Sequence, residues 1–234
     1  MSAERRAEIE ANLATVRRRI DGACAAAGRD VDEVTLVVVT KFFPASDVHL
    51  LSGLGVRHVG ENRHQEAVEK AAECADLDLS WHFIGALQSN KAAAVAAYAD
   101  VVHSLDRAKL VGGLSRGAAD RGRDLEVLVQ VSLDPPDAAG RSGAPVEQVP
   151  ELVDRILEAD GLVLRGVMGV APLDGDPGQA FARLAETAAT VRAAAPSATW
   201  VSAGMSGDLE QAVEHGATHL RIGSAVLGPR PPVK

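Results

Sequence analysis

Aromatic side chains are scarce in this chain of 234 residues: four Phe, two Trp and one Tyr make up 3% of it. A core short of rings has to be filled by Val, Leu, Ile and Ala, the small residues that pack parallel sheets and barrels. Cysteine is nearly absent. Two residues, Cys24 and Cys74, exclude a disulfide framework. Cys24 continues an apolar helical stripe, which makes it a buried free thiol rather than a ligand or nucleophile. Long apolar runs are missing as well. The longest small-apolar stretch, residues 92–99, falls far short of the roughly 20 residues of a membrane span. The opening MSAERRAEIE is charged throughout and lacks the apolar segment of a signal peptide. Positive charge is in deficit, with 24 Lys and Arg against 32 Asp and Glu and a net charge of −8. Nucleic-acid binders carry a basic stripe, and none is visible. These absences lead to the expectation of a cytoplasmic protein with no nucleic acid and no membrane among its partners.

What is present is an alternating pattern. Ile9, Leu13, Val16, Ile20 and Cys24 recur at helical spacing, and Gly28 is placed to end that helix. The run VTLVVV at 34–39 then has the continuous β-branched character of a strand buried on both faces. Strands are predicted at 34–40, 57–60, 81–84, 101–104, 126–132, 162–170, 199–203 and 218–222. Helical patterns fall between them, among others at 62–74, 108–121, 146–159, 178–194 and 208–215. With GSAVLG as a last helical turn this makes eight strand-then-helix units, the count of a closed (β/α)8 TIM barrel. An open doubly wound sheet is the competing arrangement. No linker interrupts the pattern, so residues 1–234 read as a single domain with an extra N-terminal helix. The irregular segment 134–145 follows the fifth strand, where a barrel carries a binding loop, and the Pro-rich tail reads as frayed.

In a parallel barrel, functional residues gather at the carboxyl ends of the strands. Lys41 follows the first strand directly, and partial burial there favours the neutral amine a nucleophile needs. Gly60, Glu61 and Asn62 end the second strand, and His82 lies within the third, either packed in the core or facing a ligand. Gln88, Asn90 and Lys91 belong to the third loop, and Met168 and Gly169 end the sixth strand. The loops after strands seven and eight pair glycine with serine: Gly204, Ser206 and Gly207, then Gly223 and Ser224. Barrels often bind phosphate on these two loops, through backbone N–H groups and hydroxyls. Arg221, inside the last strand, points either outward against the helices or inward and up as a fixed cation beside a ligand. Other constellations fail. GMSGD ends on Asp208 where a nucleophile elbow needs glycine. His58, His64 and Glu66 lack a metal spacing and read as solvated helix residues, so no metal is expected.

Taken together, VVTKFFPA, VGENRHQE, WHFIGALQSNK, GMSGDLEQAV and RIGSAVLG make the chain resemble the pyridoxal phosphate homeostasis protein family, whose fold is similar to the N-terminal barrel of alanine racemase. The resemblance runs from Lys41 to Gly228. It implies pyridoxal 5′-phosphate (PLP, the vitamin B6 cofactor) bound as an aldimine on Lys41. It further implies a phosphate held by Ser206, Gly223 and Ser224, and Arg221 facing the pyridine nitrogen, with Asn62, His82 and Met168 lining the pocket. An arginine there disfavours protonation of the ring and weakens it as an electron sink, which implies a binder with little catalysis. Two positions depart from the family: Arg141-Ser142-Gly143 stands where Lys-Ser-Gly is frequent, and Gly169 where a slightly larger residue is common.

Three functions fit these residues. One is a non-catalytic carrier of PLP in cofactor homeostasis, with apo PLP-dependent enzymes as partners. Another is an amino-acid racemase, which needs an opposing base from a second domain. Here the only tyrosine, Tyr98, lies before strand four, and the chain stops after the eighth unit. The third is a Schiff-base aldolase acting on a sugar phosphate. The carrier is the reading adopted, as a monomer.

Overall fold

The computed structural model describes residues 3–134 and 142–229. Most of the segment predicted as a binding loop, including Arg141, lies outside the described residues, as does the tail beyond Pro229.

The strands are β1 (Thr35–Val39), β2 (His58–Glu61), β3 (Ser80–Phe83), β4 (Val101–Leu105), β5 (Leu125–Gln130), β6 (Leu162–Met168), β7 (Trp200–Ser202) and β8 (His219–Ile222). All pair in parallel with their sequence neighbours, and β8 returns to β1, with Val37 opposite Arg221. The closed ring excludes the open doubly wound sheet. The helices are α1 (Ala3–Ala27), α2 (Ala45–Gly53), α3 (His64–Glu73), α4 (Ala92–Ala96), α5 (Val111–Arg121), α6 (Val149–Leu157), α7 (Pro177–Ala194), α8 (Leu209–Glu214) and α9 (Ser224–Leu227).

The first helix forms as its spacing predicts. Its buried stripe is Ile9, Leu13, Val16, Ile20, Ala23 and Cys24, and it stops at Gly28, whose φ of +66° suits glycine. It packs on α8 and α9 and ties them down by polar contacts at its flanks. Arg19 makes a two-pronged ion pair with Glu210 (2.9 Å on each arm), and Asn12 Nδ2 donates to the Val226 carbonyl at 3.1 Å. Arg5 donates to the Leu227 carbonyl at 3.0 Å. The extra helix therefore backs the two short helices that follow the Gly-Ser loops.

Between strands and helices lies one continuous apolar layer that includes Val38, Val59, Phe83, Val102, Val127 and Leu220. Their sequence neighbours point the other way, into the barrel. There Val101, Leu128 and Met168 form a separate small cluster, and the rest of the described interior is largely polar. Gly166 marks a bulge against β5; a Cβ there would collide with the Trp200 carbonyl, so β6 and β7 pair closely only because this side chain is absent.

Candidate functional site

The carboxyl ends of β1, β7 and β8 enclose a cavity of about 270 Å³, near the lower end of the roughly 300–1,000 Å³ typical of small-molecule sites. Lys41, Met205, Ser206, Arg221, Gly223 and Ser224 line it. Five residues predicted from sequence therefore meet in one place: an amine, two hydroxyls, a guanidinium and a glycine whose missing Cβ would press on Val39.

Lys41 is half-buried one residue beyond Thr40, and its turn is held from below. Phe42 has φ +72°, the one non-glycine residue with positive φ among those described. Such a turn carries strain of about 1 kcal/mol or more and persists only when its surroundings enforce it. They do. The Phe42 N–H donates to Glu66 Oε1 at 2.5 Å. Lys70 Nζ donates to Glu66 Oε1 (3.0 Å), to Glu61 Oε1 (2.6 Å) and to the Thr40 carbonyl (2.9 Å). Thr40 Oγ1 also donates to Glu61 Oε1 at 2.6 Å. Lys70 and Glu61 are both buried, and burial pushes the Glu61 carboxyl above its ordinary pKa while Lys70 pulls it down. This clamp, two carboxylates and a lysine, fixes the backbone on both sides of Lys41. The sequence offered a signal for it in the i,i+4 pair Glu66 and Lys70.

The reading of His58, His64 and Glu66 as solvated helix residues is overturned. Glu66 bonds Phe42, His58 lies on β2 with Nδ1 at 3.0 Å from His82 Nε2, and His64 is half-buried and stacked on Tyr98 at 5.9 Å. Among the described residues no cluster of His, Cys, Asp or Glu has the makings of a metal site.

Arg221 points inward and up. It is 4% exposed, with Nη1 donating to Ser202 Oγ at 2.6 Å and Nη2 to the Gly169 carbonyl at 2.8 Å. Burial pulls its pKa down to about 10 against the opposing pull of Asp208, so it stays charged at neutral pH. Gly169, a departure from the family pattern in a loop, is thus a direct partner of this arginine. A Cβ at Gly169 would press on Leu133 and Leu184.

The other predicted residues lie elsewhere. His82 is 1% exposed inside the barrel, joined to His103 (2.8 Å) and reaching Arg221 only through His103 and Ser202. Met168 is buried with Val101 and Leu128. Asn62 is half-buried, and its backbone carbonyl lies where a Cβ on Gly85 would have to go. None of the three lines the cavity. The sequence gives no signal for His103 and Ser202, because strands as short as VVHSL and WVS show too little alternation to tell an inward polar residue from an outward one.

Ser206 and Ser224 bring hydroxyls to opposite loops of the same wall. At the start of α9 the first N–H groups have no acceptor within the helix. Arg19 from α1 fixes the seventh loop by donating to the Ser206 carbonyl at 3.0 Å, and Asp208 accepts the Met205 N–H at 2.6 Å. The arrangement suits a small anion with a carbonyl group within reach of an amine.

Comparison with known proteins agrees. The model of the alanine racemase N-terminal domain matches residues 5–231. A pyridoxal phosphate homeostasis protein of Mycobacterium tuberculosis is 46% identical, over 97% of this chain and 95% of its own. This chain belongs to the pyridoxal phosphate homeostasis protein family. Among solved structures, PipY of Synechococcus elongatus with PLP bound is 34% identical, with a TM-score of 0.79 over 94% of this chain and all of its own. A protein of unknown function from Bifidobacterium adolescentis has a TM-score of 0.87 at 30% identity, over 97% of each chain. The homeostasis family thus covers the whole barrel, N-terminal helix included.

Proposed function

We propose that this protein binds PLP covalently through Lys41 and serves PLP homeostasis as a carrier with little or no catalysis. The observation that carries the reading is the convergence on one cavity of Lys41, the Ser206 and Ser224 hydroxyls and the buried guanidinium of Arg221. Ser206, Gly223 and Ser224 would hold the phosphate, Lys41 the aldehyde carbon, and Arg221 would face the ring nitrogen. When bound, PLP supplies an electrophilic carbon and, where its ring nitrogen is protonated, an electron sink. A charged arginine at that nitrogen keeps the proton off and the sink weak. The relatives' names and the PLP in PipY support the choice of cofactor.

The racemase alternative has less behind it. It needs a second acid–base group across the ring from Lys41. Tyr98 is stacked on His64 outside the cavity, and burial raises its pKa well above the phenol's ordinary value. The carrier acts as a monomer in this reading, and apo PLP-dependent enzymes receive the cofactor.

The test is the visible spectrum of the purified protein with added PLP, then borohydride reduction and peptide mapping. A yellow protein whose reduced pyridoxyl label maps to Lys41 is expected. Lys41→Ala should lose the label and keep its far-UV circular dichroism. A protein that takes up no PLP overturns the reading and leaves a sugar-phosphate ligand as its successor. Turnover of amino acids by the loaded protein at rates typical of enzymes, about 1 s⁻¹ or faster, would overturn the carrier role alone.

A further inference from the structure

Parallel barrels usually fill their interior with Val, Ile and Leu. This one carries imidazoles. His58 on β2, His82 on β3, His103 on β4 and Ser202 on β7 form an unbroken row ending at Arg221 on β8. The links are Arg221 Nη1 to Ser202 Oγ at 2.6 Å, Ser202 Oγ to His103 Nδ1 at 2.8 Å, His103 Nε2 to His82 Nδ1 at 2.8 Å, and His82 Nε2 to His58 Nδ1 at 3.0 Å. The rings meet nearly edge-on, with centroids 5.0 and 5.2 Å apart.

The direction of every proton in the row follows from its end. A guanidinium only donates. Ser202 Oγ therefore accepts from Arg221, and among the described contacts His103 Nδ1 is the acceptor within reach of its one proton. His103 then carries its own proton on Nε2 and donates to His82 Nδ1. His82 in turn donates from Nε2, to His58 Nδ1 or to Ser80 Oγ at 3.2 Å. A ring that accepts at Nδ1 is neutral, so both inner imidazoles carry no charge.

We propose that Ser202, His103, His82 and His58 are positioning residues for Arg221: a directed row of neutral imidazoles that holds the guanidinium still while it faces the cofactor. The proposal deepens the PLP reading and rests on it only for what Arg221 faces. The charged and titratable groups around the row fit. His219 on β8 stands 6.3 Å from His82 and 6.4 Å from His103, with Nδ1 bonded to Thr218 Oγ1 at 2.9 Å. Glu126 on β5 lies on the His58 side and is ion-paired with Arg165 on β6 at 2.6 Å. Arg221 is the row's own cation. A second positive charge on His103 would stand beside it in a dry interior, where like charges repel strongly. Burial and these neighbours hold His82 and His103 well below the ordinary imidazole range.

The first test needs no cofactor. Long-range proton–nitrogen NMR of the apo protein with labelled histidine should show His82 and His103 as neutral Nε2–H tautomers from about pH 8 down to about pH 6. In R221M, which removes the fixed donor, a population of Nδ1–H tautomer should emerge at His103. An Nδ1–H tautomer or a titrating ring at either position in the wild type overturns the proposal. The second test uses PLP. His103→Leu strips Ser202 of its acceptor and should weaken PLP retention by about tenfold, the cost of disturbing one hydrogen bond to a charged group, and shift the bound cofactor's absorbance. His103→Asn, with an oxygen near the position of Nδ1, should recover most of both. Wild-type affinity and spectrum in His103→Leu would overturn the proposal. Should that variant fail to fold, the wild-type tautomers decide. Predicted tautomers in a protein that binds no PLP would leave the row standing and remove the PLP reading instead.

Discussion

The two faces of the barrel wall obey different chemistry. Outward, Val38, Val59, Phe83, Val102 and Val127 merge with the helices into one apolar layer. Inward, apart from Val37 and the patch of Val101, Leu128 and Met168, stand His82, His103, Ser202, His219 and Arg221. The outer face is stabilised by apolar area removed from water, about 25 cal/mol per Å², with little regard to direction. The inner face is stabilised by hydrogen bonds, each of which depends on its partner being present and correctly protonated. Each face also has an exception at the carboxyl end of the strands: the Glu61–Lys70 pair is embedded outward, and Val39 lines the cavity inward. Fold stability thus resides mainly outside the barrel wall, and the support of the site inside it.

The largest expected effect breaks the inner face with acid. Burial lowers the pKa of His82, His103 and His219 (the last to about 3) below the ordinary 6.5. The unfolded chain then takes up protons below pH 6.5 that the folded chain refuses. This stability is fully present above pH 6.5 and is lost as pH falls, by about 4 kcal/mol per pH unit for three such groups. Glu61, raised by burial, opposes with at most one proton. The urea midpoint should be level above neutrality and drop steeply between about pH 6.5 and 5; a level midpoint there would mean the imidazoles are not neutral in the fold. Next in size is the outer exception. Lys70→Met leaves Glu61 buried without its cation and should cost about 3–5 kcal/mol. Adding Glu61→Leu to it should restore much of the stability, and a double variant as unstable as the single one would count against the pairing.

These two regions also differ in how far the sequence revealed them. All eight strands were placed within a few residues, because VTLVVV and its counterparts show the outer aliphatic layer directly and turn glycines separate them. That Lys41, Ser206, Gly223 and Ser224 would share one cavity was legible because strand ends and Gly-Ser loops are marked by composition. Arg221 stood out as a charge inside the last strand, with its direction left open. The inner row was not found. In strands of three to five residues, a lone imidazole beside apolar neighbours such as Trp81 and Phe83 gives too little alternation to show which way it faces, so His82 stays ambiguous and His103 and Ser202 invisible. The clamp under Lys41 escaped for another reason. Glu61, Glu66 and Lys70 look like surface charges until β2 and α3 fold against the Lys41 turn and bury them.

A cut in the outer layer away from the clamp should separate stability from binding. Val127→Ala, fully buried in that layer, should cost about 2 kcal/mol for the lost methyls and the cavity they leave. PLP affinity and spectrum should stay at wild-type values. A changed spectrum would show that the wall transmits outer packing to the inner row, and the division between the faces would fail.

The smallest expected change in stability belongs to Phe42→Gly. Glycine adopts the +72° φ of this position without strain, a gain of about 1 kcal/mol. The variant gives up the contact between the half-buried Phe42 ring and the Arg63 guanidinium 4.8 Å from its centroid, about 0.5–1 kcal/mol. It also gives up the ring's partial apolar burial at the cavity wall, about 1 kcal/mol more, and it frees the unfolded chain a little. The losses exceed the gain by about 1 kcal/mol, so the urea midpoint should fall only slightly. Lys41 is the neighbouring residue, and a glycine there lets its backbone sample turns that the Glu66 carboxylate no longer selects. PLP retention should therefore fall severalfold in a protein that remains folded. If retention holds, the strained turn does not position Lys41, and the clamp of Glu61, Glu66 and Lys70 serves the fold alone.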